Sequence, residues 1–563
     1  MEDAMRRKAT LRWVMCGGAI LFLLNGNAAT AQVVASGFHE AFRVPPGPKL
    51  VGGWLVIAGF DLDNDGNQEF IWVEDPTFSA SAIEPDTTWG IHHWEATGDN
   101  SYAEIWSWFP DDVKTGDRSY PAMTLGDVDK DSLIELYFGS PADVAANPGK
   151  AVPRLYVFEH DGFTFPAQPQ ETWDLGRPAG FQYITTSVGT GDLDNDGDIE
   201  IVLTSRGDSF GGAVGSGSGR SLVIASVTDD IGSGFANFET EFVDSSSVLK
   251  GGAVYGHSIV DFDGNSVPEV WVFTWDLFSW TIYSATAPNT YSLVVDVNQA
   301  VTGDEGQRQG VRFFDMDGDG ALEMFVATLS GDGAPPTYVR YIASTNDVST
   351  ISAASLKLVT GPFVNCAGSA YCDLDGDNLM EFLFIVDAGN GNDQVMRLEY
   401  QGGGALDDPA SYSLTTLYQD TTGITDLRTL AVADVDGDRR MDVLITSVDL
   451  TDANEGAVTI IESDVVTSVQ TTPATPSSFA LRQNYPNPFN PQTRIEFELP
   501  HDAHVELTIF DVAGREVTKL INGRLNAGKQ VVTFEASGLP TGVYFYEVKA
   551  DEIKASRKMI YVK

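Results

Sequence analysis

Three cysteines in 563 residues cannot build a disulfide framework. Cys16 lies near the amino terminus, and Cys366 and Cys372 are six residues apart. In an extended stretch that pair would stand about 20 Å apart, beyond disulfide reach. Basic residues are scarce as well: 34 Lys+Arg face 80 Asp+Glu, a net charge of −46. This argues against nucleic acid, which needs a basic footprint, and against an anionic membrane surface. The seven histidines, at 39, 92, 93, 160, 257, 501 and 504, form no HExxH or Cys/His zinc pattern. Hydrophobic residues make up 43% of the chain and glycines number 56. The first figure provides a core and excludes wholesale disorder. The second favours many tight turns over long helices.

The amino terminus reads as an export signal. Arg6, Arg7, Lys8 and Arg12 precede the apolar run at 13–24, and Ala29-Thr30-Ala31 offers a small-x-small cleavage site before Gln32. The apolar run is too short to span a bilayer, and Met15 before Cys16 is too large for lipid attachment. Charge then divides the remainder. Residues 32–470 hold 19 basic and 68 acidic residues, whereas 471–563 hold 11 and 10. Whatever needs carboxylates lies in the middle.

The middle repeats itself. Seven segments follow D-φ-D-x-D/N-x-x-x-E/D-φ, with φ apolar, at intervals of 66, 65, 69, 54, 58 and 61 residues. Periods of this size mark propellers or solenoids. Position one is Asp61, Asp127, Asp192, Asp261, Asp315, Asp373 and Asp434. Position three is Asp63, Asp129, Asp194, Asp263, Asp317, Asp375 and Asp436. Position five is Asp65, Asp131, Asp196, Asn265, Asp319, Asp377 and Asp438. Position nine is Glu69, Glu135, Glu200, Glu269, Glu323, Glu381 and Asp442.

Such clusters of oxygen donors suit a hard cation. Ca²⁺ takes six to eight oxygens in flexible geometry, and a tight loop can aim positions one, three and five inward. Position seven would add its backbone carbonyl, which explains its mixed side chains: Asn67, Leu133, Asp198, Val267, Ala321, Leu379 and Arg440. Without an ion, two carboxylates 4 Å apart repel by roughly 4 kcal/mol at an effective dielectric of 20. Glycine stands at position four or six in six repeats; the second has Lys130 and Ser132 there and is expected to be strained. The acid at position nine, not twelve, and flanks that read as strands separate these loops from EF-hands.

Apolar runs follow each loop, as in Phe70–Val73, Ile201–Leu203, Val270–Phe273 and Phe382–Ile385, and read as buried strands. A third strand recurs at Leu155–Phe158, Ser221–Ala225, Thr281–Tyr283, Tyr338–Ile342, Gln394–Glu399 and Ala457–Glu462, and a fourth at Ala103–Trp108 and Ser413–Tyr418. About 60 residues with four strands make one propeller blade. On these residues the region 33–465 resembles the FG-GAP/VCBS repeats of integrin α-subunit propellers and many bacterial surface proteins. The resemblance implies a seven-bladed β-propeller with one structural Ca²⁺ per loop, about seven in all. It also implies a partner, protein or glycan, on the face opposite the loops. Residues 33–45 are expected to add a strand to the last blade and so close the ring.

Thr471–Ser478 is a Pro/Thr/Ser linker, placed at 471–480. Strands are expected at 494–499, 505–511, 517–522, 528–534, 542–550 and 556–562, a small Ig-like β-sandwich over 481–563. The words Gln483–Pro491 (QNYPNPFNP), Phe510–Val517 (FDVAGREV), Leu539–Val548 (LPTGVYFYEV) and Lys558–Lys563 (KMIYVK) resemble the type A sorting domain of the type IX (Por) secretion system. That resemblance implies passage across the outer membrane of a Gram-negative bacterium, with the type IX machinery as partner.

Enzyme signals are thin, and no catalytic residue is assigned. Gly207–Gly211 matches GxSxG around Ser209 but opens a Gly/Ser-rich loop with no helical pattern after it. His92-His93 reads as a strand pair. Unrepeated acids such as Glu74, Asp75, Glu84 and Asp86 could supply a glycosidase-type dyad, without a way to choose among them. Ten of the 11 tryptophans lie in the repeat region, and Trp89 and Trp275 stand nearest expected loops as candidates for a surface role. The expectation is an exported, surface-displayed or released binding scaffold stiffened by calcium. The alternative is an extracellular polysaccharide-active enzyme on the same frame. Arg, Lys or His clustered in the central channel would favour the enzyme.

Overall fold

The computed structural model describes residues 32–45, 52–63, 65–74, 89–110, 121–139, 155–173, 183–207, 221–228, 230–233, 236–244, 254–274, 278–298, 305–306, 310–330, 336–387, 393–420, 425–449 and 457–466, then 480–481, 484, 487, 489, 491–499, 503–512, 515–525, 528–536, 539–550 and 553–562. The export segment, linker residues 471–479, Ser209 and Trp275 lie outside the described residues.

The repeat region forms seven antiparallel sheets of four or five strands, besides a two-stranded pairing of Glu305–Gly306 with Leu329–Ser330, and the first six take their four main strands in chain order. The first comprises Gly53–Phe60, Glu69–Glu74, Gly90–Gly98 and Ser101–Trp108. The second comprises Ala122–Gly126, Ile134–Gly139, Leu155–His160 and Glu171–Trp173. The third and fourth run from Tyr183 to Asp244 and from Val254 to Val297, and the fifth and sixth from Val311 to Phe363 and from Cys366 to Asp420. The seventh takes three strands from Thr425–Ala433, Asp442–Asp449 and Val458–Ser463, and its fourth from the amino-terminal Phe38–Arg43. That is the closing strand expected from the sequence. Gln32–Val34 goes further and adds a fifth strand to the sixth sheet, on Tyr418–Asp420.

Burial follows from the stacking of sheet on sheet. The second strands are continuous apolar runs because both faces are covered: all six residues of Glu69–Glu74 and of Glu269–Thr274 are buried. The outermost strand Ser101–Trp108 alternates exposed and buried positions instead. Each hydrophobic cluster of the region belongs to two successive sheets. Trp89, Trp106 and Trp108 of the first meet Phe138, Tyr156 and Phe158 of the second. The series ends where Leu444, Val458 and Ile460 of the seventh meet Val56, Phe70 and Trp72 of the first. The Thr429 Oγ1 donates to the Trp54 carbonyl across that junction at 3.1 Å.

Trp89 therefore corrects an expectation. It is 1% exposed and stacks on Phe138 at 4.6 Å, so it packs neighbouring sheets together and offers no surface. Cys366 and Cys372 sit at the two ends of one extended strand, both as free thiols.

The carboxy-terminal strands appear where expected, in a three-stranded sheet (Ala480–Leu481, Gln492–Leu499, Gly528–Glu535) and a four-stranded one (Glu516–Leu525, Ala503–Asp511, Gly542–Ala550, Ile553–Tyr561). The two share one core around Phe497, Val505, Ile509, Tyr546 and Met559.

Candidate metal loops and the central cavity

Each acidic segment is the turn between the first and second strands of its sheet, and three hydrogen bonds recur in all seven. The position-nine acid is the first or second residue of the second strand and is at most 2% exposed. One of its oxygens accepts the N–H of position two: Leu62, Val128, Leu193, Phe262, Met316, Leu374 and Val435 donate at 2.7–3.0 Å. Position two can do this because its apolar side chain is buried between sheets. The position-one carboxylate accepts the N–H of position six, from Gly66 through Arg439, at 2.8–3.2 Å. The position-five side chain accepts the N–H of position seven at 2.7–2.8 Å. Position three accepts the N–H of position five in six loops.

The loop thus turns on backbone donors that hold the acids face to face. Oxygens of Asp61, Asp63 and Glu69, of Asp127, Asp129, Asp131 and Glu135, and of Asp192, Asp194 and Glu200 each lie within 4.8 Å of one another. Position six has positive φ in every loop, and so does position four wherever it is described. Lys130 and Ser132 hold φ of 61° and 80°, which is the strain their lack of glycine implied.

Convergence without a counter-charge raises proton affinity. Burial first, then neighbouring loop carboxylates, push Glu135 up to about 9, Glu69 and Glu200 to about 8, and Glu269 and Glu323 to about 7. Asp442 rises to about 9 for the same reasons. The second oxygens of Glu135, Glu200, Glu269 and Asp442 are buried and have no hydrogen-bond partner. A hard divalent cation would supply what these atoms lack.

The sixth loop departs from the pattern. The Arg397 guanidinium lies 2.5 Å from both Asp375 Oδ2 and Glu381 Oε1, and 3.5 Å from Glu399. A protein cation therefore already sits on two of its four acids. Sequence reasoning missed Arg397, and it missed a second row of acids. Glu95, Glu159, Glu399 and Glu462 on the third strands stand directly opposite Glu69, Glu135, Glu381 and Asp442. Their signal was available in outline: Glu159 directly follows the strand read at 155–158.

Elsewhere the first strands surround a cavity of about 220 Å³ lined by residues of six sheets, among them Leu55, Met123, Ser187, His257, Arg312 and Thr429. Burial lowers His257 to about 4 and, against an opposing interaction with Tyr371, lowers Arg312 to about 10. His92 and His93 prove to be strand neighbours with opposite fates. His92 is stacked on Trp72 at 4.3 Å and bonded to Glu104 at 2.6 Å and Glu74 at 3.4 Å. Burial opposes its charge, but those carboxylates win and raise its pKa. His93 is buried with neither ring nitrogen hydrogen-bonded, and desolvation lowers it to about 3.

Comparison with known proteins bears on both parts of the chain. Residues 373–445, the sixth loop through the seventh, match the model of an FG-GAP-like repeat. Residues 483–563 match the secretion system C-terminal sorting domain. The chain carries an FG-GAP-like repeat and a Por secretion tail. The tail indicates export through the type IX secretion system to the cell surface or the extracellular space. No curated protein matches. Among solved structures, the exotype rhamnogalacturonan lyase YesX is 14% identical, with 75% of this chain and 76% of that one covered at a TM-score of 0.44. The Bacillus licheniformis rhamnogalacturonan lyase PL11 is 14% identical over 77% and 76%, with a TM-score of 0.41. PorZ, a surface component of the type IX secretion system of Porphyromonas gingivalis, is 12% identical over 90% of this chain and 59% of its own, with a TM-score of 0.35. At these values neither substrate nor mechanism transfers from those proteins. No helix among the described residues is long and apolar enough to cross a membrane.

Proposed function

We propose that the chain is a calcium-loaded, seven-bladed β-propeller that a Gram-negative bacterium exports through its type IX tail to serve as a surface-displayed or released binding scaffold. The seven successive sheets are its blades, the shared clusters between them its joints, and the carboxy-terminal unit an Ig-like sandwich. Each loop holds one structural Ca²⁺ through positions one, three, five and nine, with the position-seven carbonyl. The sixth is the weakest because Arg397 competes for it. The observation that carries the reading is the buried position-nine acid, which gives one oxygen to the position-two N–H and, in four loops, leaves the other without a partner.

Calcium at about 100 times its Kd stabilises by about 2.7 kcal/mol per site, and extracellular modules bind with Kd of about 10⁻⁴–10⁻³ M. Stripping the metal is therefore expected to lower the melting temperature by tens of degrees. Calorimetry in calcium and in chelator checks this, and superimposable melts would sink the metal reading. The ligand docks on the face opposite the loops. A glycan array probed with residues 32–470, with and without calcium, is expected to give calcium-dependent binding without turnover.

His257 and Arg312 in the central cavity support a second reading, a polysaccharide-active enzyme. Depolymerisation of a glycan by the same fragment, lost in His257→Ala, would establish it.

A further inference from the structure

The second loop meets the third sheet through a second acidic cluster. Oxygens of Asp129, Glu159 and Asp230 lie within 4.8 Å of one another. Asp129 is position three of the loop. Glu159 is the third-strand residue opposite Glu135. Asp230 precedes the short 3-10 turn Ile231–Ser233, which reaches across from the third sheet's outer hairpin. That turn is pinned in place. The Ile231 N–H donates to Asp129 Oδ2 at 2.7 Å, and Gly232 sits so close that a Cβ there would collide with the Glu159 carboxylate.

Glu159 is 7% exposed, and its Oε2 is buried without a hydrogen-bond partner. Of the equivalent acids in other sheets, Glu95 of the first meets the Asn67 amide at 3.5 Å and two others meet cations. Glu462 of the seventh sheet has Arg440 at 3.5 Å and His39 at 3.2 Å. Glu399 of the sixth has Arg397. At the second loop the nearest cation turns away: Lys130 pairs with Asp198 of the third loop. Among the described residues, no Lys, Arg or His pairs with Asp129 or Glu159.

We infer that a second hard divalent cation binds between the second and third sheets on Asp129, Glu159 and Asp230, outside the repeated loop sites. Three carboxylates satisfy the preference of such an ion for oxygen. The three oxygens lie within 4.8 Å of one another, so one ion can reach all of them. Asp129 bridges this ion and the loop ion, so the inference rests on the loop reading while adding a site to it. The second ion joins two sheets, which a loop ion does not.

The test counts calcium bound to the full-length chain by equilibrium dialysis. Asp230 is exposed, so Asp230→Asn leaves packing intact. Asp230→Asn and Glu159→Gln are each expected to lower the count by one. Asp127→Asn, which alters the loop alone, lowers it by one as well, and the Asp127→Asn/Asp230→Asn double variant by two. A count unchanged by Asp230→Asn, or a double variant that loses only one ion, overturns the second site. A wild-type chain that takes up no calcium overturns the loop reading, and this inference with it.

Discussion

One oxygen of Glu200 accepts the Leu193 N–H at 2.7 Å while the other lies buried without a partner. Burial, then Glu241 and the loop acids Asp194 and Asp192, raise this group to about 8, against an ordinary value of 4.5. Between those values the folded chain holds a proton that the unfolded chain has released. Where the native state binds more protons, stability falls as pH rises. Glu69, Glu135, Glu269, Glu323 and Asp442 share the direction. Metal-stripped protein is therefore expected to melt highest near pH 5 and progressively lower toward pH 8, whereas saturating calcium replaces the proton and removes the decline. Melts at four pH values with and without calcium read this directly, and a flat metal-free profile would contradict it. Glu200→Gln separates the two roles of the acid. The amide oxygen still accepts from Leu193 and needs no proton, so metal-free stability should hold or rise. The calcium-dependent gain should shrink by about 2.7 kcal/mol at calcium 100 times Kd, as measured by denaturant titration.

At the scale of the loop and its strands, the second repeat shows how much a turn depends on two backbone angles. Ser132 holds φ of 80° where Gly66, Gly197 and Gly320 stand in other loops. A non-glycine residue there costs roughly 1–2 kcal/mol. Ser132→Gly is expected to recover about 1 kcal/mol in urea unfolding and to tighten calcium at that loop; no gain would mean that neighbouring contacts had already absorbed the strain. This strain was legible in the sequence because the loop is local: its donors and acceptors lie two to seven residues apart. The second strands were legible too, since continuous apolar runs follow each loop. What was not legible is pairing across distance. Glu159 faces Glu135 only through strand register, and Asp129 meets Ile231, 102 residues away, only after the third sheet has docked. Arg397 follows the same rule, reaching back 22 residues to Asp375. Trp89 stands beside expected loops in the sequence, yet the neighbouring sheet buries it against Phe138.

At the scale of the whole molecule, the seventh sheet is completed from the far end of the chain. Phe38–Arg43 pairs with Val458–Ser463, and Ala35 and Val44 add backbone bonds to Leu417 and Val458. The Asn100 N–H from the first sheet donates to Asp436 of the seventh loop at 2.6 Å, which ties the same junction on its outer side. Without the amino-terminal strand, Val458–Ser463, all six residues of which are buried, would become an edge with unpaired backbone groups. Such an edge recruits another chain rather than staying open. Deleting residues 32–43 is therefore expected to convert a monodisperse species into oligomers or aggregate and to lower the melting temperature even in saturating calcium, because a metal ion in a loop cannot replace a missing strand. Light scattering and melting curves on the deleted chain measure both effects. If the deleted chain stays monodisperse and melts with the intact one, the junction between first and seventh sheets must be held without that strand, by their shared core and by contacts such as Thr429–Trp54 and Asn100–Asp436.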